Sequence, residues 1–395
     1  MNLRVNRRVQ DAVSISDLAL LAQRRLPRVI WDYLDGGAED ETALRANRDA
    51  FTQWRLCPHV LMGARERDLS ISLFGRTHPV PFLIGPTGLN GIFWPGADIA
   101  CARAAAARGI TFTSSTAANA SMEAIAAASA GPKWFQLYPW GDRGLWARLM
   151  ERARDAQFEA LIVTVDSLVP GKRERDLRNR FAHQLRMTPA VMFDAICHPR
   201  WLASVWLRHG MPRLENIAEF AEPDADARAL AEFTYQHRNP SLSWGDMAWI
   251  RARWRGPLLV KGILSATDIA AAVDAGVDGA IVSNHGGRQL DAAPATLEVL
   301  PEIVDAAGQH MAVLVDSGFR RGADIVKALA LGAKAVLVAR ATLYGLAAGG
   351  EAGVARALDI LRDEVDRTVA LMGRTRVTDL SRDDLLQVNS PRDRR

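Results

Sequence analysis

A histidine and an arginine three residues apart give the first indication of chemistry in this chain. His285 and Arg288 lie in the segment Ser-Asn-His-Gly-Gly-Arg-Gln-Leu-Asp at 283–291, directly after the apolar run 279–282. A histidine can take up a proton near neutral pH, and the planar guanidinium of an arginine fits a carboxylate. The pair therefore predicts proton abstraction from a substrate that carries a carboxylate. The alternative is a capping histidine beside a solvated arginine at the start of a helix.

The elements that position this pair are predicted to form an α/β fold, a (β/α)8 barrel. Short Val/Ile/Leu-rich runs alternate with helical patterns, and eight such units are the number that closes this barrel. Polar residues stand at the ends of the runs, and in a barrel those ends meet at one mouth. A doubly wound sheet is the alternative, but it would not place polar residues at all eight ends. The runs are 81–88, 109–115, 133–138, 160–166, 257–262, 279–287, 312–318 and 335–340.

Composition excludes several classes of protein. With 395 residues and 49% hydrophobic content, the chain can bury a large core. Its three cysteines have no metal-ligand or disulfide-framework spacing, so we expect a reducing cytoplasm and no structural metal. No signal peptide or spanning apolar segment is predicted. The net charge of +4 is spread along the chain without basic-aromatic interleaving, which argues against nucleic acid as a partner.

Three segments lie outside the predicted barrel at 81–380. Residues 1–80 are expected to form helices and a hairpin strand near 69–73 that closes the barrel floor. A long insertion at 172–243 separates the fourth and fifth strands, and residues 381–395 form a C-terminal tail.

The centre of the insertion, 187–206, is rich in apolar and aromatic residues surrounded by arginines, Arg186 among them. It is expected to have no partner inside a closed barrel. This composition suits a segment, 176–216, that lies in an anionic membrane interface. The alternative is a lid or an oligomer contact.

The cofactor is predicted from the last two strands. The chain has neither a Gly-x-Gly-x-x-Gly after its first strand nor a P-loop, which disfavours a nicotinamide or nucleotide site of the usual kind. Residues 316–322 and 339–341 instead combine small residues with arginines where barrels bind phosphate, while Asp316 could accept a hydrogen bond from a ribityl hydroxyl. Lys261 could stabilise a reduced flavin, or alternatively form a structural ion pair with Asp166.

Together these segments resemble the family of FMN-dependent 2-hydroxy acid dehydrogenases and oxidases over about residues 10–380. The resemblance rests on 283–291, on Trp-Phe-Gln-Leu-Tyr at 134–138 and on 316–322. Within the family the chain is most similar to the bacterial (S)-mandelate dehydrogenases, through 84–91, 173–177, 179–181, 198–201 and 208–212. Two departures are Ala339, where the family usually has glycine, and Trp31, where it usually has tyrosine.

The resemblance implies a role for each site residue. His285 would be the base and Asp166 would orient it, while the remaining substrate contacts would come from Arg173, Arg288, Tyr33 and Tyr138. The residues implied to bind FMN are Thr87, Gly88, Ser115, Gln136, Thr164, Lys261 and Ser283 around the isoalloxazine, and Asp316, Gly318, Arg320 and Arg340 along the ribityl chain and phosphate.

The implied reaction is oxidation of (S)-mandelate to phenylglyoxylate, with electrons passed to a membrane quinone or another acceptor. Alternatives are an L-lactate dehydrogenase, a soluble 2-hydroxy acid oxidase that uses oxygen and, more remotely, a non-redox flavin barrel. The resemblance also implies a homo-oligomer, a tetramer in this family. The implied location is peripheral, on the cytoplasmic side of the inner membrane and on an anionic surface, or alternatively the cytoplasm.

Overall fold

The computed structural model describes residues 8–181, 188–222 and 225–388. Its centre is a closed barrel of eight parallel strands, in which each strand pairs with its neighbours in the sequence and the last pairs with the first. The (β/α)8 prediction is therefore confirmed, and the doubly wound alternative is wrong because the sheet has no open edge. The strands are β1 (Trp54–Leu56), β2 (Ile71–Leu73), β3 (Arg76–His78), the barrel strands β4 (Phe82–Ile84), β5 (Phe112–Ser115), β6 (Lys133–Leu137), β7 (Ala160–Thr164), β8 (Leu258–Ile263), β9 (Gly279–Val282), β10 (Ala312–Val315) and β11 (Ala335–Val338), and finally β12 (Leu385–Gln387).

The barrel strands are nearly continuous buried runs, as expected for strands covered on both faces. All residues of β6, β7 and β9 are buried, and β7 pairs with β8 from Leu161 opposite Leu258 to Thr164 opposite Lys261. Apolar side chains fill both the barrel and the layer beneath its helices. The burial fixes the register, so the polar residues at the strand ends face one mouth.

Helices surround the barrel and continue into the flanking segments. The α-helices are α1 (Ile15–Arg25), α2 (Arg28–Asp35), α3 (Thr42–Asp49), α4 (Ala97–Ala106), α5 (Met122–Ala128), α6 (Arg143–Asp155), α7 (Glu174–Arg178), α8 (Pro189–Cys197), α9 (Pro199–Trp201), α10 (Leu207–His209), α11 (Ala227–Gln236), α12 (Trp244–Arg251), α13 (Thr267–Asp274), α14 (Thr296–Ala307), α15 (Gly322–Ala330) and α16 (Arg340–Leu371), with a π-helical turn at Leu202–Trp206 and short 3-10 turns at Ala50–Gln53, Asn90–Ile92, Ala218–Phe220, Val377–Asp379 and Arg382–Asp384.

The segment before the barrel covers both of its ends. The hairpin of β2 and β3 forms as predicted, with Ile71 opposite His78. Its turn residue Phe74 packs on Trp134, near the start of β6, and so closes the floor. At the other end, α3 lies so close to the loop after β9 that a Cβ on Gly287 would come within 2.6 Å of the Leu44 backbone nitrogen. In the tail, β12 pairs antiparallel with β1, while residues 389–395 lie outside the described part.

The insertion, residues 172–243, packs part of its apolar centre against the barrel. Trp201 is 3% exposed and donates from its indole nitrogen to the Ile92 carbonyl at 2.7 Å; Ala195 and Val205 are buried as well. The expectation that this centre has no partner inside the protein is therefore wrong for these three residues. Met192, Phe193, Ile196 and Leu207 remain exposed.

Residues 182–187, which include Arg186 and the first residue of the predicted apolar centre, lie outside the described part. Among the residues that are described, no helix has the length and apolar character needed to cross a bilayer.

Candidate active site

The strand ends open into a cavity of about 1200 Å³. Four of the predicted site residues lie behind its surface and support the others: Ser115, Gln136, Asp166 and Ser283. The remaining predicted residues line it: Tyr33, Thr87, Gly88, Tyr138, Thr164, Arg173, Lys261, His285, Arg288, Asp316, Gly318, Arg320 and Arg340. The barrel thus brings together side chains that are far apart in the sequence.

His285 is held by a carboxylate on one side and faces a phenol on the other. Its Nδ1 lies 2.8 Å from an Asp166 carboxylate oxygen, and its Nε2 lies 3.4 Å from the Tyr138 hydroxyl. The residue has a positive φ of 57°, and its backbone N–H donates to the Ser283 hydroxyl. Because Asp166 accepts from Nδ1, the neutral imidazole keeps Nε2 available as a proton acceptor.

Burial and charge tune this pair. Burial lowers the pKa of His285 below its ordinary value, and the positive charges of Lys261 and Arg173 add to this effect, although Asp166 opposes it. For Asp166, burial raises the pKa, but its interaction with His285, which donates Nδ1–H, and the positive charge of Lys261 outweigh burial and leave the pKa lowered. The resting site therefore contains a neutral base beside an ionised carboxylate, which is the state required for proton abstraction.

Two guanidinium groups lie near each other in the same cavity as this base. Arg173 is half-buried, and the burial of its guanidinium together with the charge of Arg288 lowers its pKa to about 10. Arg288 lies 4.9 Å from the Tyr33 ring centroid and donates to the Tyr33 and Gly36 carbonyls. Two cations that disfavour each other in a buried cavity create a site for an anion, and a carboxylate matches their fork geometry.

Lys261 pairs with Asp316 and not with Asp166, the partner in the alternative given above. Its ammonium group lies 3.0 Å from the Asp316 carboxylate and 2.6 Å from the Ser283 hydroxyl, so the predicted pair with Asp166 is not the one that forms. Side chains of β8 and of the residues after β9 and β10 meet here across the barrel mouth. Burial lowers the pKa of Lys261, but Asp316 and Asp166 outweigh burial and raise it, so the group stays charged.

The strand ends offer hydrogen-bonding groups that fit a flavin ring. The Ser115 hydroxyl donates to the side-chain oxygen of Gln136 at 2.6 Å, which orients the amide. The Gln136 side-chain nitrogen and the Thr164 hydroxyl are buried and have no hydrogen-bond partner within the described ranges. Buried polar groups are normally paired, so these two predict a polar ligand above β6 and β7.

One arginine of the predicted phosphate loops, Arg340, also makes structural hydrogen bonds. The Arg340 guanidinium donates to the carbonyls of Leu34, Gly36 and Gly286, which ties α2 to the loop that carries His285. Three of its five N–H groups are thereby used. Ala339 has φ −118°, a conformation that does not require the glycine usual in the family.

Several residues that shape the site were not predicted from the sequence. Asn47 and Asn284 exchange two side-chain hydrogen bonds of 2.8 and 2.9 Å, which pin the loop of His285 to α3. Trp140 stacks on Tyr138 with ring centroids 4.8 Å apart, and Arg238 of the insertion lines the cavity. Asn284 stands inside the predicted motif and could have been found there, whereas the others are placed by tertiary contacts alone.

A histidine supported by a carboxylate lies in the mouth of this (β/α)8 barrel together with two arginines and with unpaired hydrogen-bonding groups at the strand ends. This arrangement is suited to taking a proton from an anionic substrate and to holding a polar cofactor. The chain belongs to the FMN-dependent dehydrogenase family, whose model matches residues 22–387, and FMN is its cofactor. As a member it is an FMN-dependent 2-hydroxy acid dehydrogenase, as predicted.

Known relatives are similar over almost the whole chain. The (S)-mandelate dehydrogenase of Pseudomonas putida is 46% identical over 95% of this chain and 94% of its own length. A putative L-lactate dehydrogenase of Mycobacterium tuberculosis is 43% identical over 95% of this chain and 89% of its own. Among solved structures, a monotopic membrane protein (S)-mandelate dehydrogenase superimposes with a TM-score of 0.92 at 45% identity, covering 96% of this chain and 100% of that one. A mandelate oxidase variant gives 0.80 at 35%, covering 96% and 99%.

Proposed function

We propose that this enzyme oxidises (S)-mandelate, or a closely related aromatic 2-hydroxy acid, to the corresponding 2-oxo acid. The observation that carries the proposal is the His285–Asp166 pair facing Arg173 and Arg288, in a chain 46% identical to the mandelate enzyme of Pseudomonas putida. Aromatic side chains that line the same cavity, among them Phe93 and Phe181, support a substrate with a ring.

The residues divide the reaction among them. Arg173 and Arg288 hold the substrate carboxylate, with Tyr33 and Tyr138 beside it, and this orients the hydroxyl toward His285. Nε2 of His285 takes a proton from the 2-hydroxy acid, and Asp166 stabilises the imidazolium that forms.

FMN, held by the groups at the strand ends and in the two loops at 316–322 and 339–341, supplies a two-electron acceptor when bound. Lys261 keeps a positive charge at the end of β8, where it favours the arrival of negative charge.

Anaerobic addition of (S)-mandelate to the yellow holoenzyme tests this proposal. We expect bleaching of the flavin absorbance, with phenylglyoxylate formed in equal amount. (R)-Mandelate is the matched control, because it presents the same groups with the wrong face toward the base. If neither mandelate nor any other 2-hydroxy acid bleaches the flavin, the proposed reaction is wrong.

A second substrate is favoured by the relatives named L-lactate dehydrogenase, at 43% and 40% identity. Comparison of kcat/KM for (S)-mandelate and L-lactate distinguishes the two. The acceptor is proposed to be a membrane quinone, and its alternative is oxygen, as in the mandelate oxidases at 35% identity. Rates of reoxidation by each acceptor separate a dehydrogenase from an oxidase.

The proposed location is an anionic membrane surface on the cytoplasmic side, bound through segment 176–216. Exposed Met192, Phe193, Ile196 and Leu207 support it, as does the description of one similar structure as a monotopic membrane protein. A homotetramer, which the family resemblance implies, stays a prediction that light scattering of the purified enzyme can test.

A further inference from the structure

The cavity continues beyond the catalytic residues, under the insertion. The cavity of about 1200 Å³ is also lined by residues that are assigned to neither FMN nor the substrate. The part on the insertion side is here called the outer chamber. Its lining combines apolar residues, Leu89, Trp140, Trp206 and Leu214 among them, with the polar residues Asp226, Arg228, Thr234, Tyr235 and Arg238.

The walls of the outer chamber are fixed to the barrel by buried hydrogen bonds. The Asn216 side chain is fully buried, donates to the Ser115 carbonyl and accepts from the Met122 backbone N–H, both at 2.9 Å. On the other side, the Gly141 backbone N–H donates to the His237 carbonyl at 2.7 Å. The outer chamber is therefore a defined site, because its lining is held on two sides.

Two buried hydrogen-bond donors of this chamber have no acceptor among the described residues. The indole nitrogen of Trp140, a residue 6% exposed, and the Nε of Arg238 are both buried without a partner in the part of the chain that the structure describes. Arg238 is anchored by another nitrogen, which donates to the Ser167 carbonyl at 2.7 Å. Buried donors are costly when unpaired, so the chamber is suited to a ligand that brings acceptor atoms.

The outer chamber is connected both to the base and to an apolar surface. The Trp140 ring is parallel to Tyr138 within 6°, and the Tyr138 hydroxyl lies 3.4 Å from His285. On the outward side, Trp206 lines the cavity and is followed by Leu207, which is 73% exposed. A ligand that dissolves in an apolar phase thus has a short way from the exposed face of the insertion into the chamber.

We propose that the outer chamber binds the headgroup of a lipophilic quinone, the acceptor that reoxidises the enzyme. A quinone is flat and apolar, and its two carbonyl oxygens are acceptors for the donors of Trp140 and Arg238. The inference rests on the proposed function, since it assigns a site to the acceptor of that reaction. A second carboxylic acid fits less well, because the paired arginines that suit a carboxylate lie beside His285.

The reaction balances without any further reactant. The C–H and O–H bonds at the substrate's second carbon break, two electrons and two protons leave, and a carbonyl forms. The quinone gains the same two electrons and two protons, so that its two carbonyls become the two hydroxyls of a hydroquinone.

The test uses the holoenzyme and decylubiquinone. Trp140→Phe keeps a smaller aromatic ring and removes the N–H donor, and Arg238→Gln removes the guanidinium. Trp249→Phe is the matched control, because Trp249 does not line the cavity. Equilibrium dialysis gives the Kd for decylubiquinone in the dark, oxidised enzyme, and stopped flow gives the two half-reactions. Ferricyanide, a small polar acceptor, serves as the comparison.

We expect each chamber variant to raise the Kd and the KM for decylubiquinone about tenfold, the order of one lost hydrogen bond to a buried group. The loss should be specific to the quinone: the ratio of kcat/KM for decylubiquinone to kcat/KM for ferricyanide should fall about tenfold in each chamber variant and stay unchanged in the control. Unchanged quinone binding in both chamber variants, or no binding to the unmodified enzyme, overturns the proposal. If quinone binds and both variants weaken it while mandelate fails to bleach the flavin, the proposed substrate is wrong and the site stands.

Discussion

At the scale of single residues, the catalytic proposal depends on one proton acceptor. Asn in place of His285 keeps part of the size and the hydrogen bonding to Asp166 but cannot take the proton. We expect His285→Asn to lower the rate of flavin reduction by (S)-mandelate about 10²–10⁴-fold, the usual contribution of a lost acid-base group. The FMN content, read from the visible spectrum, should be unchanged. A near-normal reduction rate would exclude His285 as the base.

The two arginines should differ in what their loss does. Arg173→Met removes a half-buried cation that donates a hydrogen bond to the Arg288 carbonyl, so we expect weaker binding of substrate and of carboxylate inhibitors at unchanged FMN content. Arg288→Lys keeps a charge, but it also loses the bonds to the Tyr33 and Gly36 carbonyls, so it should loosen α2 as well. Inhibitor dissociation constants and limited proteolysis measure the two effects. An unaltered inhibitor affinity in Arg173→Met would remove that residue from the substrate site.

The pH dependence follows from the lowered pKa of His285. The base works only when neutral, so kcat/KM should be constant above this pKa and fall as the pH drops through it, below the ordinary value of 6.5. Asp166→Asn removes a charge that raises the pKa of His285, and we expect its acid limb to shift to lower pH while kcat falls because the imidazolium is less stabilised. A pH series of kcat/KM measures both. An acid limb above 6.5 in the unmodified enzyme would contradict this assignment.

At the scale of elements, some apolar residues of the insertion pack against the protein and others are exposed. Trp201 anchors it on the barrel, whereas Phe193, 69% exposed on α8, is free to enter a membrane interface. We expect Phe193→Glu to reduce sedimentation with anionic liposomes, because a negative charge replaces an exposed aromatic ring that would enter the interface. Val60→Glu is the control, since Val60 is 79% exposed in the segment after β1. If both variants sediment like the unmodified protein, α8 is not in the interface.

The sequence predicts those features that depend on neighbouring residues, and it does not predict contacts between segments that are distant in the chain. The barrel strands follow from their own composition, and His285, Arg288 and Asp166 follow from their positions at strand ends. The ion pair of Lys261 with Asp166, given as an alternative, does not form, because which carboxylate comes near Lys261 depends on the closure of the barrel between β8 and β10. The anchoring of Trp201 on the Ile92 carbonyl was missed for the same reason: an aromatic residue in an amphipathic segment gives no sign of what it packs against.

At the scale of the whole molecule, the cofactor connects parts of the chain that are distant in sequence. The proposed FMN contacts come from most of the barrel strands, while Arg340, Asn47 and Arg288 tie the N-terminal segment to the same mouth. A ligand that binds the folded chain and not the unfolded one stabilises it by about 2.7 kcal/mol at a hundredfold excess over Kd. The apoenzyme should therefore unfold at a lower temperature than the holoenzyme. Both the barrel mouth and the N-terminal segment should be less stable in the apoenzyme.

Riboflavin separates the two ends of the cofactor site. It carries the same ring as FMN and lacks the phosphate, so the groups at β6 and β7 can still bind it while the loops at 316–322 and 339–341 cannot contribute. We expect the Tm of the apoenzyme to rise with the logarithm of FMN concentration and to rise much less with riboflavin at the same concentrations. Calorimetry of the apoenzyme with each ligand measures this. Equal stabilisation by both would mean that these two loops bind no phosphate. A Tm that does not change with FMN concentration would mean that FMN does not bind the folded chain in preference to the unfolded chain.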